Sequence, residues 1–124
     1  MSEDLIRLMH VLFLPAAESC REGAWCPATD VYRTPSGWLV KFDLAGVRAE
    51  DIDLEVHGRR MTVRGTRRDC TTPAGCSYYR MEIAYGPFER SVELPVDDDL
   101  RRAQITTEYR DGMLLVHVPT EVQP

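Results

Sequence analysis

The amino-acid sequence predicts an all-β fold, an antiparallel β-sandwich, on three observations. Short stretches alternate apolar and polar residues with period two, turn signals separate them at spacings of about 8–12 residues, and no long helical pattern follows residue 14. The length of 124 residues suits a single domain able to remove about two-thirds of its unfolded surface from water, so neither a metal nor a disulfide is required merely to fold it. With 44% hydrophobic and 28% charged residues the composition is that of a soluble globular chain. Acidic residues outnumber basic ones 20 to 15, for a net charge of -5, which argues against non-specific nucleic-acid binding.

The elements follow in order. Residues 1–24 read as an arm and linker. In the arm Leu5, Leu8, Met9 and Leu12 fall at helical spacing, with Ile6, Val11 and Phe13 beside them, and Ser2, Glu3 and Asp4 suit the start of a short amphipathic helix. The segment is too short to span a bilayer, which takes about 20 apolar residues, and its leading acids do not suit a secretory signal. No membrane span and a cytoplasmic location are therefore expected. So apolar an arm should pack on its own domain or on another chain. Residues 15–27, rich in small residues with Pro15, Gly23 and Pro27, read as linker.

Strand patterns begin after Ala28. Trp38, Val40, Phe42 and Leu44 alternate with Lys41 and Asp43, after a Pro35-Ser36-Gly37 turn. Ile52, Leu54 and Val56 alternate with Asp53, Glu55 and His57, and Gly58-Arg59 turns the chain into Met61, Val63 and Gly65. Phe88, Val92 and Leu94 share one parity with Arg90, and Pro95 ends that run. Ile105, Thr107 and Tyr109 lead to Asp111-Gly112, a strong hairpin signal. The last strand, Met113 to Val118, is apolar on both parities except at His117 and is expected to be covered on both faces. Residues 68–86 form a connection too long for a hairpin, whose second half, Tyr78 to Tyr85, is rich enough in strand formers to carry a short strand of its own.

Catalytic signatures are missing: there is no phosphate-binding glycine loop, no GxSxG and no HExxH, so no catalytic residue, no cofactor and no enzyme is expected. The three histidines, His10, His57 and His117, lie in unrelated local contexts, and Asp97-Asp98-Asp99 lacks the alternation and glycine of a calcium loop, so no metal ligand is assigned. The arginines around Arg60 and Arg64 face Asp53 and Glu55 across a hairpin and read as cross-strand ion pairs. Cys20/Cys26 and Cys70/Cys76 each enclose five residues, which is not zinc-ribbon or CxxC spacing. Free thiols are the default in the cytoplasm; a Cys70–Cys76 disulfide or a four-thiolate site are the alternatives, and with them a Cys-based redox or metal-responsive function. The remaining features concern assembly: an apolar arm, a doubly apolar last strand and a long aromatic loop on a sandwich whose open edges can accept an extended segment.

From Trp25 to Pro119 the chain resembles the α-crystallin domain of small heat-shock proteins, most closely the bacterial and plant-type members. The resemblance rests on Trp25-Cys-Pro-Ala-Thr-Asp-Val31, Leu44-Ala-Gly-Val47 with Glu50-Asp-Ile52, Leu54-Glu-Val56 with Met61-Thr-Val-Arg-Gly65, Tyr85-Gly-Pro-Phe-Glu-Arg90 with Leu94-Pro-Val-Asp97, and Tyr109-Arg-Asp-Gly-Met-Leu114, in family order. It implies an immunoglobulin-like sandwich over 25–119 and an ATP-independent holdase that keeps unfolding client proteins soluble. It also implies a homodimer in which a strand near Ser77 to Glu82 pairs with the neighbour's Asp30 to Arg33. The dimer contacts would be Val31, Tyr32, Tyr78, Tyr79, Arg80 and Arg90. Client contacts would come from the arm (Leu5, Leu8, Leu12, Phe13) and from an apolar groove between Ile52 to Val56 and the Gly112–Val116 region, with Leu54, Val56, Leu114 and Val116 as its lining. Only residues 120–124 follow the last strand, without the paired Ile or Val motif usual in the family tail, and Thr107 stands where an alanine is common. Dimers or small oligomers are therefore expected. The alternative is a specific adaptor with a CS-like sandwich, against which the long loop 68–86 counts.

Overall fold

Where the glycine- and proline-marked turns fall, the backbone reverses, and between them the chain is extended. The computed structural model describes residues 20–69 and 72–120. Seven strands are present among them: β1 (Thr29–Thr34), β2 (Gly37–Asp43), β3 (Ile52–His57), β4 (Arg60–Arg67), β5 (Gly86–Glu93), β6 (Thr106–Arg110) and β7 (Met113–Pro119). They form two antiparallel sheets, one ordered β1-β2-β7-β6 and the other β3-β4-β5. The sandwich expected from sequence is borne out. The arm residues Leu5, Leu8, Leu12 and Phe13, as well as Cys70 and 121–124, lie outside the described residues.

Register explains the core. Val40 lies opposite Val116 and Phe42 opposite Leu114 in the first sheet, while Met61 lies opposite Val92 and Gly65 opposite Phe88 in the second. These inward residues, together with Leu44, Val63, Leu94 and Val118, are buried between the sheets. Gly65 leaves the room that Phe88 fills: a Cβ there would collide with the ring and with the Asp51 carbonyl. The β6–β7 hairpin turns through Asp111 (φ 53°) and Gly112 (φ 78°), the left-handed pair that a two-residue hairpin demands. The outward face of the second sheet carries the ion pairs expected across the hairpin, with Arg64 Nη1 2.8 Å from Glu55 and its Nε 3.2 Å from Glu89.

Three expectations are corrected. The last strand is covered on one face only: Leu114, Val116 and Val118 are buried, whereas Met113 and Leu115 are half-buried and His117 exposed, because no described layer lies outside the first sheet. No strand forms among the described residues of the 68–85 connection, which pairs with none of the seven strands. Residues 20–27 are not a loose linker. Trp25 N–H donates to the Pro87 carbonyl (3.1 Å) and Glu89 N–H to the Trp25 carbonyl (3.3 Å), so this leg lies along the outer edge of β5.

Candidate functional site

An edge strand exposes backbone donors and acceptors that interior strands spend on their neighbours. Here β3 and β6 are both edges, of different sheets. At one end the Leu100 amide, just ahead of β6, donates to the Gly58 carbonyl just past β3 (2.7 Å). At the other, the Tyr109 hydroxyl of β6 lies 2.6 Å from the Val47 carbonyl and 2.7 Å from the Leu44 carbonyl, in the segment leading to β3. The two edges thus run side by side, tied at both ends, without a ladder between them.

The slot between them is apolar. Its β3 wall is Ile52, Leu54 and Val56, each half-buried, alternating with exposed Asp53, Glu55 and His57. Its other wall is Thr107 and Tyr109 of β6 with Ile105 just ahead of the strand. Thr107 lies opposite Val116 and therefore on the inner face, yet it is exposed, because nothing described covers the sandwich at that point. Of the four residues expected to line a groove, Leu54 and Val56 stand half-buried on the edge strand β3. Leu114 and Val116 do not: they sit on β7, paired on both sides, and are 6% and 0% exposed within the core. The second wall belongs to β6, one strand further out. Ile105 and Tyr109 were visible in the sequence only as core-parity residues; the missing signal was which strand ends the sheet.

Tyr109 ties β6 to the segment leading to β3. Burial pushes its hydroxyl pKa up. The raised value means that its contribution is complete below about pH 10, where the unfolded side chain ionises, and is lost as pH rises through the folded value. Tyr109→Phe is expected to cost about 1–2 kcal/mol in urea unfolding at neutral pH and to flatten the alkaline loss of stability seen in the parent chain.

The residues expected at a dimer contact are placed as follows. Val31 and Tyr32, on the edge strand β1, are each 42% exposed; Tyr78 and Tyr79 are 77% and 100% exposed, and Met81 and Ile83 of the same connection are also exposed. Arg80 is exposed, at 4.0 Å from Glu82. Arg90 is not on that surface. It projects on the inner parity of β5, half-buried, and its Nη1 donates to Cys26 Sγ at 3.5 Å. The base of the long connection is held by Arg67, whose Nε donates to the Ala84 carbonyl (2.8 Å) and Nη1 to the Ala45 carbonyl (3.1 Å). Its guanidinium also covers the Trp25 ring at 4.1 Å, a clamp that sequence reading missed.

The cysteine expectations change as well. Cys20 and Cys26 form a disulfide, contrary to the free-thiol default, because the leg doubles back along β5; Cys76 is free and exposed. Surface concavities among the described residues lie elsewhere. One, of about 450 Å³, is lined by Glu55, His57, Arg60, Thr62 and Arg64, with Arg64 paired to Glu55. Another, of about 610 Å³, lies where Trp38 and Val118 meet the 95–104 connection. No helix among the described residues is long and apolar enough to cross a membrane.

Two antiparallel sheets joined in this order, with a long excursion between β4 and β5 and a slot between β3 and β6, define a sandwich of the α-crystallin type. The profile of the Hsp20/alpha crystallin family matches residues 30–124, and the chain belongs to that family. Small heat shock protein C2 of Rickettsia felis is 29% identical over 99% of this chain and 85% of its own length. Spore protein SP21 of Stigmatella aurantiaca is 34% identical over 82% of this chain and 60% of its own. Among solved structures, heat shock protein 16.0 from Schizosaccharomyces pombe superposes with a TM-score of 0.73 at 23% identity, covering 90% of this chain and 85% of that one. HspA from Xanthomonas axonopodis gives 0.67 at 26% identity, over 78% and 95%. Chaperone function and a part in the stress response follow from the family.

Proposed function

We propose that the protein is an ATP-independent holdase, which binds exposed apolar segments of unfolding proteins and keeps them from aggregating. The observation that carries this is the apolar slot between two unpaired strand edges, lined by half-buried Leu54 and Val56 on β3, with Thr107 exposed on the β6 side. A slot of this kind offers an extended client backbone hydrogen bonds from either edge and a place for alternate apolar side chains. The arm residues Leu5, Leu8, Leu12 and Phe13 would add a second apolar contact for the client. Residues 25–119 are the folded unit in this reading, with 1–24 as arm and linker and 120–124 as tail, and the compartment is the cytoplasm.

In the same reading the chain dimerises by strand exchange. The exposed Val31 and Tyr32 mark β1 as an acceptor edge, and the exposed Tyr78, Tyr79 and Arg80 mark Ser77 to Glu82 as the donor from a second copy. Arg90 would act behind that contact, through the leg it holds at Cys26. Catalysis has no part in this function.

The test is aggregation of a heat-labile enzyme followed by light scattering, without nucleotide. An equimolar amount of the chain is expected to lower the scattering by more than half. Scattering unchanged at a twofold excess overturns the holdase reading, and a pull-down that then yields one stoichiometric partner supports a dedicated adaptor in its place.

A further inference from the structure

The Cys20–Cys26 bridge is set unevenly in its surroundings. Cys20 is exposed, whereas Cys26 is half-buried with the Arg90 guanidinium 3.5 Å from its sulfur. In thiol–disulfide exchange the sulfur under attack must be reachable, and the sulfur that leaves carries the electron pair, so a nearby positive charge favours its departure. Both conditions point the same way here.

We propose that this bridge is a directed thiol–disulfide exchange site for a low-molecular-weight thiol of the glutathione class, with Cys20 as the attacked sulfur and Cys26 as the leaving and resolving one. The external thiolate attacks Cys20 Sγ; a mixed disulfide forms there, the Cys20–Cys26 bond breaks, and the electron pair stays on Cys26 Sγ beside Arg90. A second thiolate then attacks the external sulfur of the mixed disulfide, releasing the oxidised thiol dimer and Cys20 thiolate, which takes up a proton. The protein gains two electrons and two protons, and two thiols lose them. In the oxidising direction, the Cys26 thiolate attacks the mixed disulfide at Cys20 and expels the small thiol. In a reducing compartment a protein disulfide is characteristically transient and redox-sensing.

The bridge sits where its state has a structural consequence. The ring it closes holds the leg on the β5 edge, through the Cys20–Arg90 pairing and the Trp25 backbone bonds to Pro87 and Glu89. Trp25 in turn packs on Phe88 (5.1 Å between rings), donates from Nε1 to the Gly86 carbonyl (3.2 Å) and lies under Arg67, which holds Ala84 at the exit of the long connection. Reduction therefore loosens the cover of the β5 edge and the base of the 68–85 excursion together, independently of whether the groove binds clients.

The experiment uses the full chain carrying Cys70→Ser and Cys76→Ser, so that only this pair reports. Oxidised protein is exposed to reduced glutathione, quenched with acid and mapped by mass spectrometry. The adduct is expected on Cys20 in at least tenfold excess over Cys26, and Cys26→Ser treated with oxidised glutathione should accumulate the Cys20 adduct. Equal labelling, an adduct mainly on Cys26, or a Cys20–Cys26 pair that alkylates fully as free thiols in air-oxidised protein overturns the proposal. Hydrogen exchange gives the second readout: on reduction the Glu89 amide, which the leg protects, should exchange at least tenfold faster while the central β4 amides keep their rates. An unchanged Glu89 amide rate overturns the link between the bridge and the β5 edge.

Discussion

Leu54→Asp combined with Val56→Asp is expected to abolish most of the protection of a heated client while leaving the sandwich folded. Both side chains lie on the inner parity of β3, but β3 is an edge, and they are only half-buried. The carboxylates can therefore turn toward water in the free protein. A bound apolar segment removes that water. Each Leu or Val buried against it contributes about 1.5–3 kcal/mol, and a tenfold change in affinity corresponds to about 1.4 kcal/mol. The pair should thus weaken binding at least a hundredfold. Light scattering reads the effect and circular dichroism checks the fold. Full protection by a folded double variant excludes the slot as the binding surface. Should the aspartates unfold the chain, the milder pair Leu54→Ser and Val56→Thr poses the same question.

Phe42→Ala is expected to produce the largest loss of stability of any single substitution on β2. Phe42 is fully buried, opposite Thr29 of β1 on one side and Leu114 of β7 on the other. β2 is an interior strand, so its neighbours are held by ladders on both sides and cannot collapse into the space left behind. The cost is then the lost transfer of the ring together with the cavity, about 3–5 kcal/mol. In urea the midpoint should fall with an unchanged slope at fixed protein concentration. A loss below about 1 kcal/mol would mean that the sheets close over the gap, contrary to the packing of a core at this density.

Much of this architecture was legible in the sequence because alternation is a local property. Val40 and Phe42 face inward and Lys41 outward through the geometry of an extended chain alone. The Asp111-Gly112 turn was equally plain, since few residue pairs tolerate two left-handed positions. Arg90 was marked by its place on an apolar parity, but its neighbour Cys26 lies 64 residues away and no local pattern foretells that. The groove was half legible. Alternation places Leu54 and Val56 on the inward parity of β3, but it does not reveal that Leu114 and Val116 are buried in the core on a strand paired on both sides. Parity says which way a side chain points and is silent on which strand lies beside it.

The sequence by itself determined the class of fold, the order and parity of the strands, the hairpin between β6 and β7, and the family to which the chain belongs, because each depends on residues near one another in the chain. Only the tertiary structure decided which strands are edges, and with that the position of the slot, the exposure of Thr107, the anchoring of residues 20–27 on β5 and the pairing of Cys20 with Cys26. Those depend on the order in which strands join their sheets, which is settled by closing a common core between Phe42, Val63, Phe88 and Val116. Short-range alternation can be satisfied by many such orders; burying these four side chains together, with Gly65 making room for Phe88, is satisfied by the one observed.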